Sequence, residues 1–124
     1  MDRQADIAAL NQLALRLIDI KRRCTHAQRC ERDPDAILDI QRKIDLRTSL
    51  LRDAQAKVRE LQGRPATSLP GVHLTRDPQL ARVNIERGES ELKHDLDRVL
   101  SNAQLDTETR AFLDEARSAV APQR

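Results

Sequence analysis

The fold prediction starts from Ile85-Glu86-Arg87-Gly88-Glu89-Ser90-Glu91-Leu92-Lys93-His94, which lies within residues 77–102. At about 100° per residue of helix, the apolar residues of this segment fall on one side, as expected for a face packed against a core. Glu89 falls within the same arc. Gly88 lies beside it, although glycine inside a helix costs about 1 kcal/mol relative to alanine. Local conflicts of this kind tend to mark functional or specially packed sites.

The remainder of the chain shows the same helical periodicity, interrupted by start and stop signals. Aspartate followed by proline at Asp33-Pro34 and Asp77-Pro78 is typical of a helix start, and Asp106 supplies a further cap. Gly63, followed by a proline two residues later, predicts the end of the second helix. We therefore predict a single domain over 1–124, with helices over about 4–31, 34–62, 77–102 and 106–119. A linker or crossover loop spans 63–76, and a frayed tail spans 121–124.

The composition restricts the class of protein. Apolar residues make up 39% of the 124 residues and Phe112 is the only aromatic, so the predicted core is aliphatic. Charged residues make up 34%, with both signs interspersed and a net charge of +2. This mixture argues against a nucleic-acid-binding surface, which would be strongly basic. We also expect no membrane span, because no apolar run approaches the required length of about 20 residues. The N-terminal residues contain no apolar secretory segment, so we expect a cytoplasmic protein.

The acid at position 89 requires a partner if it is buried. Lys21 and Arg47 project onto the buried faces of the first two helices, at nearly the same height in an antiparallel pair. Glu89 is about a dozen residues into its own helix, which places it close to that level. We therefore predict a buried or half-buried ion pair between Glu89 and Arg47, with Lys21 nearby.

The competing hypothesis is a metal site that uses Glu89 with Glu86, Glu91 and His94, and that binds iron or manganese. Glu-x-x-His at 91–94 occurs in di-iron carboxylate bundles. However, Glu91 points about 120° and His94 about 180° away from the core stripe, so both should face solvent. Cationic residues on the facing helices also disfavour a cation at this level.

The two cysteines, Cys24 and Cys30, are expected to be reduced thiols, because two cysteines are too few for a disulfide framework. Cys24 projects onto the apolar face of the first helix and should be buried. Together with His26 the cysteines could suggest a metal cluster. Their spacing matches no zinc pattern, and the helix should point the two sulfurs apart.

Several short segments resemble a bacterial family of ferritin-like domains of unknown function, part of the ferritin and rubrerythrin-like superfamily. The resemblance lies in Ile85-Glu86-Arg87-Gly88-Glu89, Arg110-Ala111-Phe112-Leu113, Ala9-Leu10-Asn11-Gln12-Leu13 and Ala56-Lys57-Val58-Arg59-Glu60-Leu61-Gln62-Gly63. It implies a ferritin-like bundle in which two antiparallel helical hairpins are joined by a crossing segment. Of the superfamily's metal-ligand positions, only Glu89 is matched. The acidic position that the family shows in helix one falls at Leu15 or Arg22.

These observations predict an all-α, ferritin-like four-helix bundle without a functional di-metal centre. The expected role is that of a non-catalytic helical module, which self-associates as a homo-oligomer or binds a protein partner. Leu38 and Leu46 project away from the core stripe of the second helix and are candidates for an exposed apolar contact surface.

Overall fold

The computed structural model describes residues 3–69, 77–102 and 104–120, and these residues are all-α. Four helices span Arg3–Cys30 (α1), Pro34–Glu60 (α2), Pro78–Leu100 (α3) and Thr107–Val120 (α4), and the described residues contain no strand. The helix ends lie within two residues of the predicted bounds, whereas the predicted tail over 121–124 lies outside the described residues. None of these helices is both long enough and apolar enough to cross a membrane.

α1 and α2 form an antiparallel hairpin with a short connection. The Asp33 carboxylate accepts a hydrogen bond from the backbone N–H of Asp35, and proline occupies the first turn, so α2 begins with both expected signals. Next to the connection, Gln28 of α1 donates to the side chain of Gln41 at 2.8 Å. At the opposite end, the Arg3 guanidinium contacts the side chain of Gln62 at 3.3 Å.

The end of α2 differs from the prediction. Gln62, not Gly63, adopts the left-handed conformation, with φ of 65°. The N–H of Gln62 donates to the carbonyl of Arg59 and the N–H of Gly63 donates to that of Val58, both at 2.9 Å, which is the hydrogen-bond pattern of a Schellman motif. Gly63 serves a different purpose, because a Cβ at this position would lie 2.9 Å from the side chain of Ile7.

The chain after α2 runs along α1. The Asn11 side chain donates to the carbonyl of Arg64 at 3.0 Å and accepts from the N–H of Ala66 at 2.8 Å. Eleven residues further along α1, Arg22 donates to the carbonyl of Leu69 at 2.8 Å. Residues 63–69 are therefore non-helical and held against α1. The rest of the predicted linker, 70–76, lies outside the described residues.

α3 packs antiparallel to α1, and α4 folds back on α3. Near the start of α3, Arg82 pairs with Glu31 at the end of α1. Beyond the other end of α3, the N–H of Asp106 donates to the buried carboxylate of Asp6 at 3.0 Å, close to the start of α1. Arg117 of α4 pairs with Asp97 of α3 at 3.2 Å. Because α2 and α3 both run antiparallel to α1, they run parallel to each other.

The core is aliphatic, as the composition predicts. Its largest fully buried side chains come from all four helices: Leu10, Leu17, Ile20, Cys24, Val58, Leu92 and Leu113. Helical periodicity predicts that Leu105, Thr109, Phe112, Ala116 and Val120 share one face at the fourth helix, and all of these except Phe112 are buried. Phe112 is only partly buried, whereas Leu113 is fully buried. The buried face of α4 is therefore rotated by part of a turn from the predicted one.

Candidate functional site

The charged residue Arg47 of α2 is buried against Glu89 of α3. Nη2 of Arg47 lies 2.8 Å from each carboxylate oxygen of Glu89, and the two side chains are 8% and 16% exposed. Nε of Arg47 is buried without a hydrogen-bond partner among the described residues. A guanidinium can normally donate from several N–H groups to a carboxylate in a fork-like geometry. Here a single terminal nitrogen makes the whole contact.

Cys24 of α1 lies close to this ion pair and is fully buried. Burial, together with the negative charge of Glu89, raises the pKa of the Cys24 thiol to about 11, against the opposing positive charges of Lys43 and Arg47. The thiol is therefore protonated at neutral pH and behaves as a small apolar side chain.

Lys21 does not take part in the ion pair. It is only half-buried, and it makes no hydrogen bond or ion pair with any part of the chain that the structure describes. A lysine at such a position can pack its methylene groups against the protein and keep its ammonium group in water. The expected three-residue arrangement is thus a pair.

A second acid, the buried Asp95 of α3, is the centre of a larger charge network that was not predicted from the sequence. It is 5% exposed and accepts hydrogen bonds from Arg16 of α1, from Gln12 at 3.1 Å and from Arg98 at 3.3 Å. Arg16 also donates to Glu91 at 2.7 Å. Burial alone would raise the pKa of Asp95, but the hydrogen bonds from Arg16 and Gln12 outweigh it and hold that pKa below its ordinary value.

The sequence does contain a signal for Asp95. It follows Gly88 by seven residues and Leu92 by three, which places it on the same side of α3 as these two buried residues. Its main partner, Arg16, is harder to identify, because a long arginine side chain can reach a carboxylate well away from the direction of its own Cβ.

The residues of the metal hypothesis are distributed over different sides of α3. Glu86 is exposed and lines a groove with Lys43 and Arg82. Glu91 and His94 share another surface groove, in which Glu91 is paired with Arg16 rather than pointing freely to solvent. Within residues 3–69, 77–102 and 104–120, no three or more His, Cys, Asp or Glu residues are grouped so that they could hold a metal ion. The structure does not bring these four residues together.

Gly88 explains how α3 approaches α1 so closely at this level. It is buried, and a Cβ at this position would lie 3.3 Å from side-chain atoms of both Ile20 and Arg23. Arg23 also donates to the backbone carbonyl of Asn84 at 2.8 Å and pairs with Asp19 at 3.0 Å. Helical projection predicts that Asp19 points outward from α1, but its side chain is only 15% exposed. The small residue at 88 therefore leaves room for an arginine to lie across the helix interface.

Comparisons with known proteins give no relative: no family model, curated protein or solved structure matches this chain. At the centre of α3, the half-buried Glu89 and the buried Asp95 each face at least one guanidinium. In some proteins, buried charge pairs of this kind specify the register of packed helices.

Proposed function

We propose that this chain is a non-catalytic helical module with a ferritin-like arrangement, and that it acts by self-association. The observation that carries the proposal is the contact between Glu89 and Arg47. In the family that the chain resembles, Glu89 falls at a metal-ligand position, yet its partner at 2.8 Å is an arginine, whereas a metal ion would need further anions. The buried charges then serve to hold the helices in one arrangement.

The arrangement of the chain supports the ferritin-like part of the proposal. α1 pairs with α2 and α3 pairs with α4, each as an antiparallel hairpin. The segment over residues 63–69 is held along α1 by Asn11 and Arg22, as expected for the start of a crossing connection between two hairpins. The cytoplasmic location expected from the sequence forms part of the same proposal.

The contact surface that we propose is on α2. Leu38 and Leu46 are 56% and 61% exposed, and they lie eight residues apart, or about 12 Å along the helix. Exposed leucines give up water contact when they are covered by another chain, which is favourable by about 25 cal/mol per Å² of apolar area. Leu80 and Val83 on α3 are also exposed, at 54% and 44%.

The test measures molecular mass by light scattering over a range of protein concentrations. The wild-type chain is expected to form a dimer or larger oligomer, and the double variant Leu38→Glu/Leu46→Glu is expected to be a monomer with an unchanged helical circular dichroism spectrum. The matched control is Leu80→Glu/Val83→Glu, which adds the same charges to exposed positions on α3 and should keep the oligomer. A monomeric wild-type chain would contradict self-association.

A second measurement addresses the metal hypothesis directly. We expect no saturable binding when wild-type protein is titrated with iron or manganese. If either ion bound stoichiometrically, and if that binding were lost in Glu89→Ala, then Glu89 would be a metal ligand and the non-catalytic proposal would be wrong.

A further inference from the structure

The side of α2 opposite its buried residues combines two leucines with two small residues. Leu38, Leu46, Ser49 and Ala56 are all exposed. At about 100° per residue they project within an arc of about 80°, on the side of the helix away from its buried residues. This side, the outer face of α2, is not covered by the described part of the chain, so another helix can pack along it.

Four charged residues flank the outer face of α2. Arg42 and Asp53 project on one side of the line from Leu38 to Ala56, and Asp45 and Arg52 project on the other side. Arg52 and Asp53 form no hydrogen bond or ion pair with the residues that the structure describes. Arg42 and Asp45 each contact one neighbour on α2 itself, at 3.5 Å and 3.0 Å. These exposed charges can therefore bind charges on a second chain.

The order of these charges along α2 is complementary to its own reverse. Two copies of α2 that lie antiparallel can place Arg42 of each copy opposite Asp53 of the other, because both project on the same side. In that register, Asp45 of each copy lies within two residues of Arg52 of the other, which is about 3 Å along the helix. A parallel pair in register would instead place each charge against its own copy, and like charges repel.

The same antiparallel register brings each leucine of the outer face to a small residue. Leu46 lies level with Ser49 of the second copy, and Leu38 lies within one residue of the level of Ala56. Small residues leave space on one helix for the large side chains of the other. The apolar and the charged residues of the outer face therefore favour the same arrangement.

Complementary charges are confined to the middle of α2. At its ends, the same register brings Asp35 level with Glu60 of the second copy, and these charges repel. Both residues are exposed, so water screens them, and Glu60 already pairs with Lys57 of its own helix at 3.7 Å. In each half of the interface, two attractive pairs are thus opposed by one repulsive pair.

We propose that the outer face of α2 binds the outer face of α2 in a second copy of this chain, with the two helices antiparallel and related by a two-fold axis. Such an axis repeats every contact, so Arg42 of each chain pairs with Asp53 of the other. The inference rests on the proposed function, because it requires self-association. It adds the helix that is contacted, its direction and the charges that select it.

The test exchanges charges within α2 without changing the net charge of the full-length chain. Arg42→Asp/Asp53→Arg reverses a pair that meets across the dimer, so it should keep the wild-type dissociation constant. Arg42→Asp/Asp45→Arg is the matched control, because it makes the same two kinds of substitution but places like charges opposite each other at both pairs. It should raise the dissociation constant about tenfold or more. Sedimentation equilibrium measures the constants, and circular dichroism establishes that each variant keeps its helices.

The outcomes distinguish this inference from the proposed function. A wild-type chain that remained a monomer would overturn self-association and the antiparallel dimer together. If the wild type dimerised, but Arg42→Asp/Asp53→Arg did not associate more tightly than Arg42→Asp/Asp45→Arg, self-association would stand and the antiparallel arrangement of α2 would be wrong.

Discussion

Arg47 of α2 and Glu89 of α3 meet through one guanidinium nitrogen, which lies 2.8 Å from both carboxylate oxygens, while the neighbouring Nε has no partner in the part of the chain that the structure describes. The contact joins two parallel helices that otherwise pack mainly on α1. Ion pairs at such positions contribute little net stability relative to a well-packed apolar pair, yet removal of one partner leaves the other charge buried. We therefore expect the pair to favour one arrangement of α2 and α3 over others.

Removal of the acid alone should be costly. We expect Glu89→Ala to lower the free energy of unfolding by about 3 kcal/mol, because the Arg47 charge is left buried and unpaired. The apolar double variant Arg47→Met/Glu89→Leu should recover to within about 1 kcal/mol of wild type. Urea denaturation measures all three proteins. If Glu89→Ala were as stable as wild type, the buried pair would have no role in holding α3.

An exposed pair provides the control for that experiment. Arg42 and Asp39 lie 3.5 Å apart on α2, and their side chains are 77% and 73% exposed. Asp39→Asn should change the free energy of unfolding by less than about 0.5 kcal/mol, because water screens such a pair. A loss in Asp39→Asn as large as that in Glu89→Ala would indicate a general effect of charge and not of burial.

The Asp95 network predicts a specific dependence of stability on pH. Its carboxylate has a pKa below the unfolded value of about 3.9, so the stability it contributes is complete above that value and is lost as the pH falls through the folded pKa. Asp95→Asn should cost about 2 kcal/mol at pH 7. The difference from wild type should decrease below about pH 4.

Urea denaturation of both proteins at several pH values measures this difference. The control is Asp97→Asn on the same helix, since the Asp97 side chain is 51% exposed and pairs with Arg117 on the surface. It should change stability by less than about 1 kcal/mol at any pH. If the loss of stability in Asp95→Asn did not decrease in acid, the amide would destabilise the protein through its shape and not through the missing charge.

Features of the fold and of the site that depend on backbone geometry could be predicted from the sequence, whereas the partners of long, flexible side chains could not. The helices, the aliphatic core and the position of Glu89 opposite Arg47 all follow from the angle between residues and their distance from a turn, which are properties of the backbone. Lys21 satisfied the same two criteria, yet it lies away from the pair. A lysine on a partly buried face has water as an alternative partner, and backbone geometry does not decide between the two.

Asp95 and Gln62 show two other limits. Asp95 lies on the buried side of α3, as helical periodicity predicts. Its partner Arg16 contacts it from another helix through a long, flexible side chain. Sequence periodicity gives the direction of the arginine Cβ but not the position of its guanidinium. At the end of α2, glycine is the residue type that favours a left-handed conformation. Here Gly63 packs closely against Ile7 instead, and Gln62 adopts the left-handed conformation.

This arrangement makes Gln62→Gly a stabilising change. The left-handed conformation destabilises a residue with a Cβ by roughly 1 kcal/mol, and glycine avoids most of that destabilisation. We expect a gain of about 0.5 kcal/mol, since the exposed hydrogen bond between Arg3 and the Gln62 side chain is lost. Gln62→Ala should show no gain, because it keeps the Cβ. Thermal and urea denaturation of the two variants distinguish these outcomes, and a Gln62→Gly protein less stable than Gln62→Ala would contradict the argument.

The two cysteines should differ sharply in reactivity in the folded protein. Only the thiolate reacts with iodoacetamide, and Cys24 is both fully buried and shifted to a pKa of about 11, whereas Cys30 is partly exposed. At pH 8, mass spectrometry should therefore detect one adduct, at Cys30, with Cys24 labelled only when urea unfolds the chain. Cys30→Ser removes the fast reaction and should leave a protein that is not labelled until it unfolds. Labelling of Cys24 at the same rate as Cys30 would mean that α1 separates from its neighbours under native conditions, and the ion pair beside Cys24 would then be open to water as well.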